Sequence, residues 1–325
     1  MAFEYQESVL IKVRVARKTE AATDVCAFEL ASLDGHALPG FTAGAHIDVH
    51  LANGLIRQYS LCNDPSETHR YRIGVLREVQ SRGGSVAMHA LAEGDELLIS
   101  EPRNHFALVD SAQRTLLLAG GIGITPLLAM ARALSAQSAS FELHYCVREP
   151  ARAAFREEIE TSALGANAHL YYDSAPIDAR ANLSAIVGVP ESGRHLYVCG
   201  PAGFIEAVLS IARGLGWPET HLHKEYFAAA TPPVSEGGAF RVKLASTGQI
   251  VEVGEHQSVI ESLEAAGVIV PTSCEQGVCG TCLTRVLAGE PDHRDMYLTD
   301  EERAANDQFL PCCSRSKTSE LVLDL

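Results

Sequence analysis

The stretch PTSCEQGVCGTC, residues 271–282, places three cysteines within nine residues of a 325-residue chain that holds only nine. Cys274, Cys279 and Cys282 stand in the spacing C-x4-C-x2-C, and Cys312 follows after 29 intervening residues. One loop with that spacing can present three thiolates to a single bound group, while a distant segment supplies a fourth. Gly277 and Gly280 lie inside the loop, where the backbone must approach that group closely and can turn through positive φ.

This spacing is the plant-type arrangement for a [2Fe–2S] cluster. Structural zinc usually takes two C-x2-4-C knuckles. Here only Cys279 and Cys282 form one, and no second follows, so zinc is disfavoured. Cys312 and Cys313 are adjacent and compete for the fourth place. Around the cluster motif, FRVKLASTGQIVEVG (240–254) has a hairpin pattern about Thr247-Gly248. SVIESLEAAG (258–267) reads as a helix ending at Gly267, and strand-like runs close the chain.

The chain is longer than one core usually serves, so two or three domains are expected. Hydrophobic content of 46 % and charged content of 21 % are ordinary for a globular protein. No apolar run reaches the roughly 20 residues that span a bilayer, and the first residues lack a signal-peptide core. The expected compartment is therefore the cytoplasm, where cysteines serve as ligands, redox groups or buried hydrophobes. A net charge of −15 disfavours nucleic acid and anionic membranes as partners. Residues 236–325 carry 15 acidic and 7 basic side chains, a net of −8, which is over half of that excess. They form either a solvated acidic face or a docking face for a basic partner.

Residues 1–109 read as short strands bounded by turn signals, the pattern of an antiparallel barrel, with one helix near 85–91. Residues 110–227 alternate strands such as RTLLLAG (114–120) and RHLYVCG (194–200) with helical patterns, among them 125–135, 153–160 and 202–216. That alternation predicts a parallel α/β sheet. AAATPPVSEGG, 228–238, reads as a linker, and 239–325 as the third domain.

Two of these segments carry phosphate-type signals. LLLAGGIGITPLLAM sets Gly120, Gly121 and Gly123 between a buried strand and a helix, where a pyrophosphate can approach backbone N–H groups. Thr125 and Pro126 break the G-x-G-x-x-G fingerprint, and Pro126 suits a first helical turn. Cys199, Gly200 and Pro201 follow another buried strand, at the sheet edge where α/β ligands bind. In the first segment, Arg57 could pair with a phosphate, Tyr59 could lie against an aromatic ring, and Gly83, Gly84 and Ser85 could offer N–H groups. Each alone also reads as a surface Arg, a barrel Tyr or a loop Gly pair.

The motifs RQYSLCNDP, RGGSV, AGGIGITP, VCGP, SCEQGVCGTC, EPDHRDMYLTDEE and CCSRSKTSELVLDL occur in this order. Together they resemble the phthalate dioxygenase reductase family, which includes the vanillate O-demethylase reductase components. The resemblance covers essentially the whole chain and implies a flavin barrel, a nicotinamide-binding α/β domain and a β-grasp ferredoxin. It implies that Arg57, Tyr59 and Ser60 hold FMN, with Ser60 near the reactive ring nitrogen. Val75 and Leu76 would line the same site, Gly83, Gly84 and Ser85 would cradle its phosphate, and Phe227 would cover the ring. Gly120 to Pro126 would bind the NADH pyrophosphate, Thr125 would also lie near the flavin, and Cys199 would stand near the nicotinamide. Asp173, where relatives using NADPH bind its phosphate, would favour NADH, although Arg148 could itself meet a 2′-phosphate. The tail pattern C-x-S-R makes Cys312 the fourth cluster ligand.

The implied activity is electron transfer from NADH through FMN and [2Fe–2S] to a separate Rieske-type oxygenase acting on an aromatic or related substrate. A self-sufficient reductase of another acceptor is the alternative. A non-enzymatic iron–sulfur protein is a third reading, opposed by the intact Arg57–Ser60 and Gly83–Ser85 motifs.

Overall fold

The structure is a computed structural model that describes residues 10–227 and 238–325. The predicted linker at 228–238 falls, but for Gly238, outside the described residues. The chain divides into two compact units between Glu225 and Tyr226.

The first unit holds two sheets. Strands β1 (Leu10–Ala22), β2 (Val25–Ser32), β3 (His46–His50), β4 (Ile56–Ser60) and β5 (Tyr71–Leu76) precede a short helix, α1 (Gly84–Ala90), and β6 (Glu96–Ser100). They pair antiparallel in the order β4-β3-β6-β1-β2-β5. A bridge between Leu61 and Ile73 draws the two edges together, closing the expected barrel. Alternation decides which side chains go inside: Val13 and Val15 point inward and are buried, while Lys12 and Arg14, on either side of Val13, are exposed. Phe28, Leu30, Ile47, Val49, Ile73 and Ile99 fill the same core.

The second sheet is parallel, as the alternating pattern predicts. It comprises β7 (Arg114–Gly120), β8 (Ser140–Val147), β9 (Ala168–Tyr172), β10 (Arg194–Cys199) and β11 (Leu222–Glu225), in the order β11-β10-β7-β8-β9. Leu116 to Ala119 are buried on both faces of the central strand. Helices α2 (Ile124–Ala136), α3 (Arg156–Thr161), α4 (Leu183–Val187) and α5 (Ala202–Gly214) connect the strands. The helix expected over 153–160 is shorter, because Phe155 takes a left-handed conformation at φ 61°. Its ring is buried against Gly74 of β5, and the Arg72 guanidinium lies 4.9 Å from its centre. Burial of one aromatic side chain outweighs the local helix pattern there.

The second unit contains a mixed sheet. Strands β12 (Phe240–Leu244) and β13 (Ile250–Val253) form the expected hairpin, followed by α6 (Val259–Ala265). Ser258 and Glu261 make a reciprocal capping box, and Gly267 at φ 81° follows the helix end. Then come β14 (Thr284–Ala288), β15 (Pro291–Asp292), α7 (Asp300–Ala305), β16 (Gln308–Phe309), β17 (Arg315–Ser316) and β18 (Glu320–Leu323). The sheet order is β13-β12-β18-β14-β16, with β18 parallel to β12 and antiparallel to β14. Val259 and Leu263 of α6 pack with Val242, Leu321 and Leu323 of the sheet. One helix across a mixed sheet is the β-grasp arrangement.

Candidate functional site

In the barrel, β4 carries Arg57, Tyr59 and Ser60. The Arg57 side chain lies across Gly84: a Cβ at Gly84 would come within 2.6 Å of Arg57 Cγ and Nε. The structure thus brings Arg57 to the start of α1, where Gly83 has φ 93° and precedes Ser85. Ser85 Oγ accepts from Glu78 N at 3.1 Å and lies 3.0 Å from Ser81 Oγ, which itself accepts from Gly83 N. This web fixes the turn. Burial pushes the Tyr59 phenol up, so it stays neutral. Val75 and Leu76 end β5 but differ. The Val75 side chain is fully buried in the barrel core, so what it offers a ligand is backbone. Leu76 packs instead against the core of the parallel sheet.

In the parallel sheet, β7 runs into a tight turn at Gly120–Gly123 and then α2. A Cβ on Gly123 would sit 2.3 Å from the Cys199 carbonyl oxygen, and one on Gly120 would press the Phe204 ring at 2.8 Å. Gly121, at φ 55°, has open space where its Cβ would be. Close approach by the end of β10 demands glycine at 123, and the Phe204 ring of α5 demands it at 120. Thr125 is buried and donates to Ile122 O at 3.1 Å; its methyl would meet a Cβ on Gly74 of β5 at 2.9 Å. The first turn of α2 and strand β5 thus converge. Gly200 and Pro201 lead from β10 into α5. Asp173 is exposed just past β9, beside Arg148 past β8; Asp173 N donates to Val147 O and Ser174 N to Arg148 O.

The residue that motif reading overlooks is Glu225. It ends β11 in parallel register with Cys199 of β10, and its Oε2 accepts from Ser60 Oγ at 3.4 Å. Burial of the carboxyl pushes it up to about 8, although the residue as a whole keeps some surface. The Cys199 thiol is raised well above its ordinary range by burial, then by the Glu225 charge. Ser60, Cys199 and Glu225 thus share one place. Phe227, 37 % exposed, follows β11 by two residues.

In the second unit, Cys274, Cys279 and Cys282 are buried and Cys312 is half-buried. The Cys274 thiol meets that of Cys279, and the Cys312 thiol meets both Cys282 and Cys313. Among the described residues no three ligating side chains converge on one ion. Three loop cysteines with a fourth brought to Cys282 from a distant segment fit a [2Fe–2S] cluster better than a single zinc held by paired knuckles. The loop backbone also turns toward sulfur: Gln276 N donates to Cys274 Sγ at 3.3 Å and Thr281 N to Cys279 Sγ at 3.4 Å. Gly277 and Gly280 have φ of 69° and 73°. A Cβ on Gly277 would fall 2.5 Å from Cys313 Sγ, so Cys313 lies beneath the loop; Cys312 meets Cys282 and also its neighbour Cys313.

Comparison with known proteins agrees with this geometry. Residues 242–317 match a 2Fe-2S iron-sulfur cluster binding domain, and residues 98–222 match the N-terminal domain of dimethylamine monooxygenase subunit DmmA-like proteins. The chain is 50 % identical over 317 residues to a vanillate O-demethylase oxidoreductase of a Pseudomonas strain, covering 97 % of this chain and all of that protein. The solved structure of a phthalate dioxygenase reductase, described as modular for electron transfer from pyridine nucleotides to [2Fe-2S], superposes with a TM-score of 0.80. It is 39 % identical and covers 97 % of this chain and 98 % of that one. An intact type IV self-sufficient cytochrome P450 monooxygenase also matches, with TM-score 0.80 and 37 % identity, over 98 % of this chain but 41 % of that chain.

Proposed function

The chain belongs to the family of vanillate O-demethylase oxidoreductases and phthalate dioxygenase reductases, and on that premise we propose that it carries electrons from NADH through FMN and a [2Fe–2S] cluster to an oxygenase component. The observation that carries this reading is the Ser60–Glu225 contact beside Cys199. Through it one compact unit joins a ring-binding barrel strand to the ligand edge of a parallel sheet.

Bound FMN supplies the conversion of a hydride into single electrons, and a bound [2Fe–2S] cluster supplies their one-electron exit. Arg57, Gly83, Gly84 and Ser85 would hold the flavin phosphate, with Tyr59 against the ring and the backbone of Val75 and Leu76 beside it. Gly120, Gly121, Gly123, Thr125 and Pro126 would take the dinucleotide pyrophosphate, and Gly200 and Pro201 would flank it. Cys199, held neutral by burial, would stand near the nicotinamide at the end of β10. Burial favours the protonated form of Glu225, and Ser60 Oγ is the group that links its carboxyl to the ring site. Asp173 would accept from the adenosine ribose hydroxyls and repel a 2′-phosphate. Phe227 would cover the ring. Cys274, Cys279, Cys282 and Cys312 would ligate the cluster.

We place the domain boundaries at 109/110 and 238/239, with 228–238 as linker, and the chain in the cytoplasm. No helix among the described residues is long and apolar enough to cross a membrane. The finer identity of the acceptor is a Rieske-type oxygenase. Purified protein should show flavin and iron–sulfur absorption that NADH bleaches, heat should release FMN, and a Rieske oxygenase should turn over when added. Protein without flavin would overturn the reading.

A further inference from the structure

The segment EPDHRDMYL, residues 290–298, has no part in the site as described, yet it is pressed against the cysteine loop. Met296 N donates to Gly277 O at 2.9 Å. A Cβ on Gly277 would lie 3.0 Å from Asp295 Cα and 3.2 Å from Asp295 Cβ, and one on Gly280 would meet the Tyr297 ring at 2.3 Å. This segment thus crowds both loop glycines, Gly277 together with Cys313.

At its centre sits Asp295, whose side chain is wholly buried. Its Oδ2 accepts from Tyr297 N at 3.1 Å and Leu298 N at 2.8 Å, while Oδ1 has no hydrogen-bond partner. The charged and titratable groups facing it are few. Arg303 of α7 places Nη2 3.7 Å from Oδ2 and donates to the Asp295 carbonyl oxygen. His293 Nδ1 lies 3.8 Å from Oδ1, and the Cys313 thiol also feels its charge. The Arg303 side chain keeps 30 % of its surface and reaches Asp300 as well, at 3.8 Å, so water and a second carboxylate weaken its compensation. A buried, incompletely paired carboxylate is costly to fold around. Stability alone gives no reason to keep such a group against the cysteine loop.

We propose that Asp295 and Arg303 act as an opposed pair that sets the reduction potential of the cluster held by Cys274, Cys279, Cys282 and Cys312. The inference rests on the [2Fe–2S] reading above. Each electron that enters the cluster adds negative charge, which the Asp295 carboxylate opposes and the Arg303 guanidinium favours. At the low effective dielectric of this site both effects are felt across several ångströms. Both are positioning residues; neither is one of the four ligand cysteines, and no change of protonation is required.

The test is a potentiometric titration of the full-length protein, reading the EPR signal of the reduced cluster, after iron and acid-labile sulfide have been counted. Asp295→Asn keeps an acceptor for the two backbone N–H groups and removes the charge. It should shift the equilibrium several-fold toward the reduced cluster, where tenfold is about 59 mV for one electron. Arg303→Gln should shift it several-fold the other way, and Arg303→Lys should restore the original value. A full cluster whose potential is unchanged in both variants, or moves the same way in both, overturns the proposal. Should Asp295→Asn fail to keep iron, an unchanged potential in Arg303→Gln overturns it alone. A wild-type protein without iron and sulfide would instead sink the functional reading itself.

Discussion

Ser60 and Glu225 stand 165 residues apart in sequence and 3.4 Å apart in space, the one ending a barrel strand and the other a strand of the parallel sheet. Their contact gives the first prediction. Ser60→Ala should slow flavin reduction by NADH about ten- to a hundredfold, the effect of losing one hydrogen bond to a charged or reacting group. Stopped-flow bleaching of the flavin is the measurement, with flavin content checked to show the site intact.

Glu225 also predicts a pH-dependent stability. Its folded value of about 8 lies above the ordinary 4.5, so the folded state keeps a proton that the unfolded chain gives up. Stability should therefore fall as pH rises from about 5 through 8, on the scale of about 1.4 kcal/mol for each pH unit over which only the unfolded carboxyl is ionised. Glu225→Gln removes that loss, so the variant should gain on the wild type across this window. Parallel denaturation curves at pH 5 and pH 8 check the sign; a constant difference would mean that Glu225 titrates normally.

For cluster ligation, Cys312→Ser should lose or destabilise the cluster and Cys313→Ser should keep it. Cys312 is the one of the two that meets a loop cysteine, Cys282, while Cys313 meets Cys312 and lies under Gly277. Iron and sulfide assays decide between them. A complete cluster in Cys312→Ser would move the fourth ligand elsewhere.

For the hydride donor, NADH should be preferred over NADPH, and Asp173→Ser should narrow the gap. Asp173 and Arg148 are both exposed at neighbouring strand ends, so either could meet the ribose of a bound nucleotide. The ratio of kcat/KM values for the two nucleotides is the readout. A wild-type preference for NADPH would give control to Arg148.

For the partner, transfer from the cluster to its oxygenase should slow as salt rises, because residues 236–325 carry a net −8. Opposite fields speed encounter and are screened over about 10 Å at 0.1 M salt. NADH-to-flavin reduction should respond much less. If transfer ignores salt, the acidic surface is only a solvated face.

What the sequence makes legible and what it hides divide along a physical line. The cysteine spacing, the Gly120–Gly123 turn and the Arg57–Ser60 strand are local signals, each contained in one stretch, and the barrel and parallel sheet follow from periods of burial. Glu225 is hidden because β11 is four residues long, LHKE, with no alternation, and its meaning comes from Ser60 and Cys199 far away. Helix α7 is readable in principle: Thr299 and Glu302 form a capping box with the spacing T-x-x-E. The turn at Phe155 is not, since its left-handed backbone answers to a ring buried against another strand. Val75 shows a finer limit: a residue beside a ligand strand can give its side chain entirely to the core.

The placement of β18 bears on how the molecule matures. Residues 320–323 fill a central position of the second sheet, between β12 and β14. During translation the barrel and parallel sheet can fold as soon as residue 225 has cleared the ribosome. The three loop cysteines then emerge beside a sheet that still lacks its middle strand. Iron cannot be enclosed until residue 323 is out, so in the growing cell flavin loading can precede iron loading by nearly a hundred codons, and a translation stall in that interval leaves a flavoprotein with its thiols bare to oxygen.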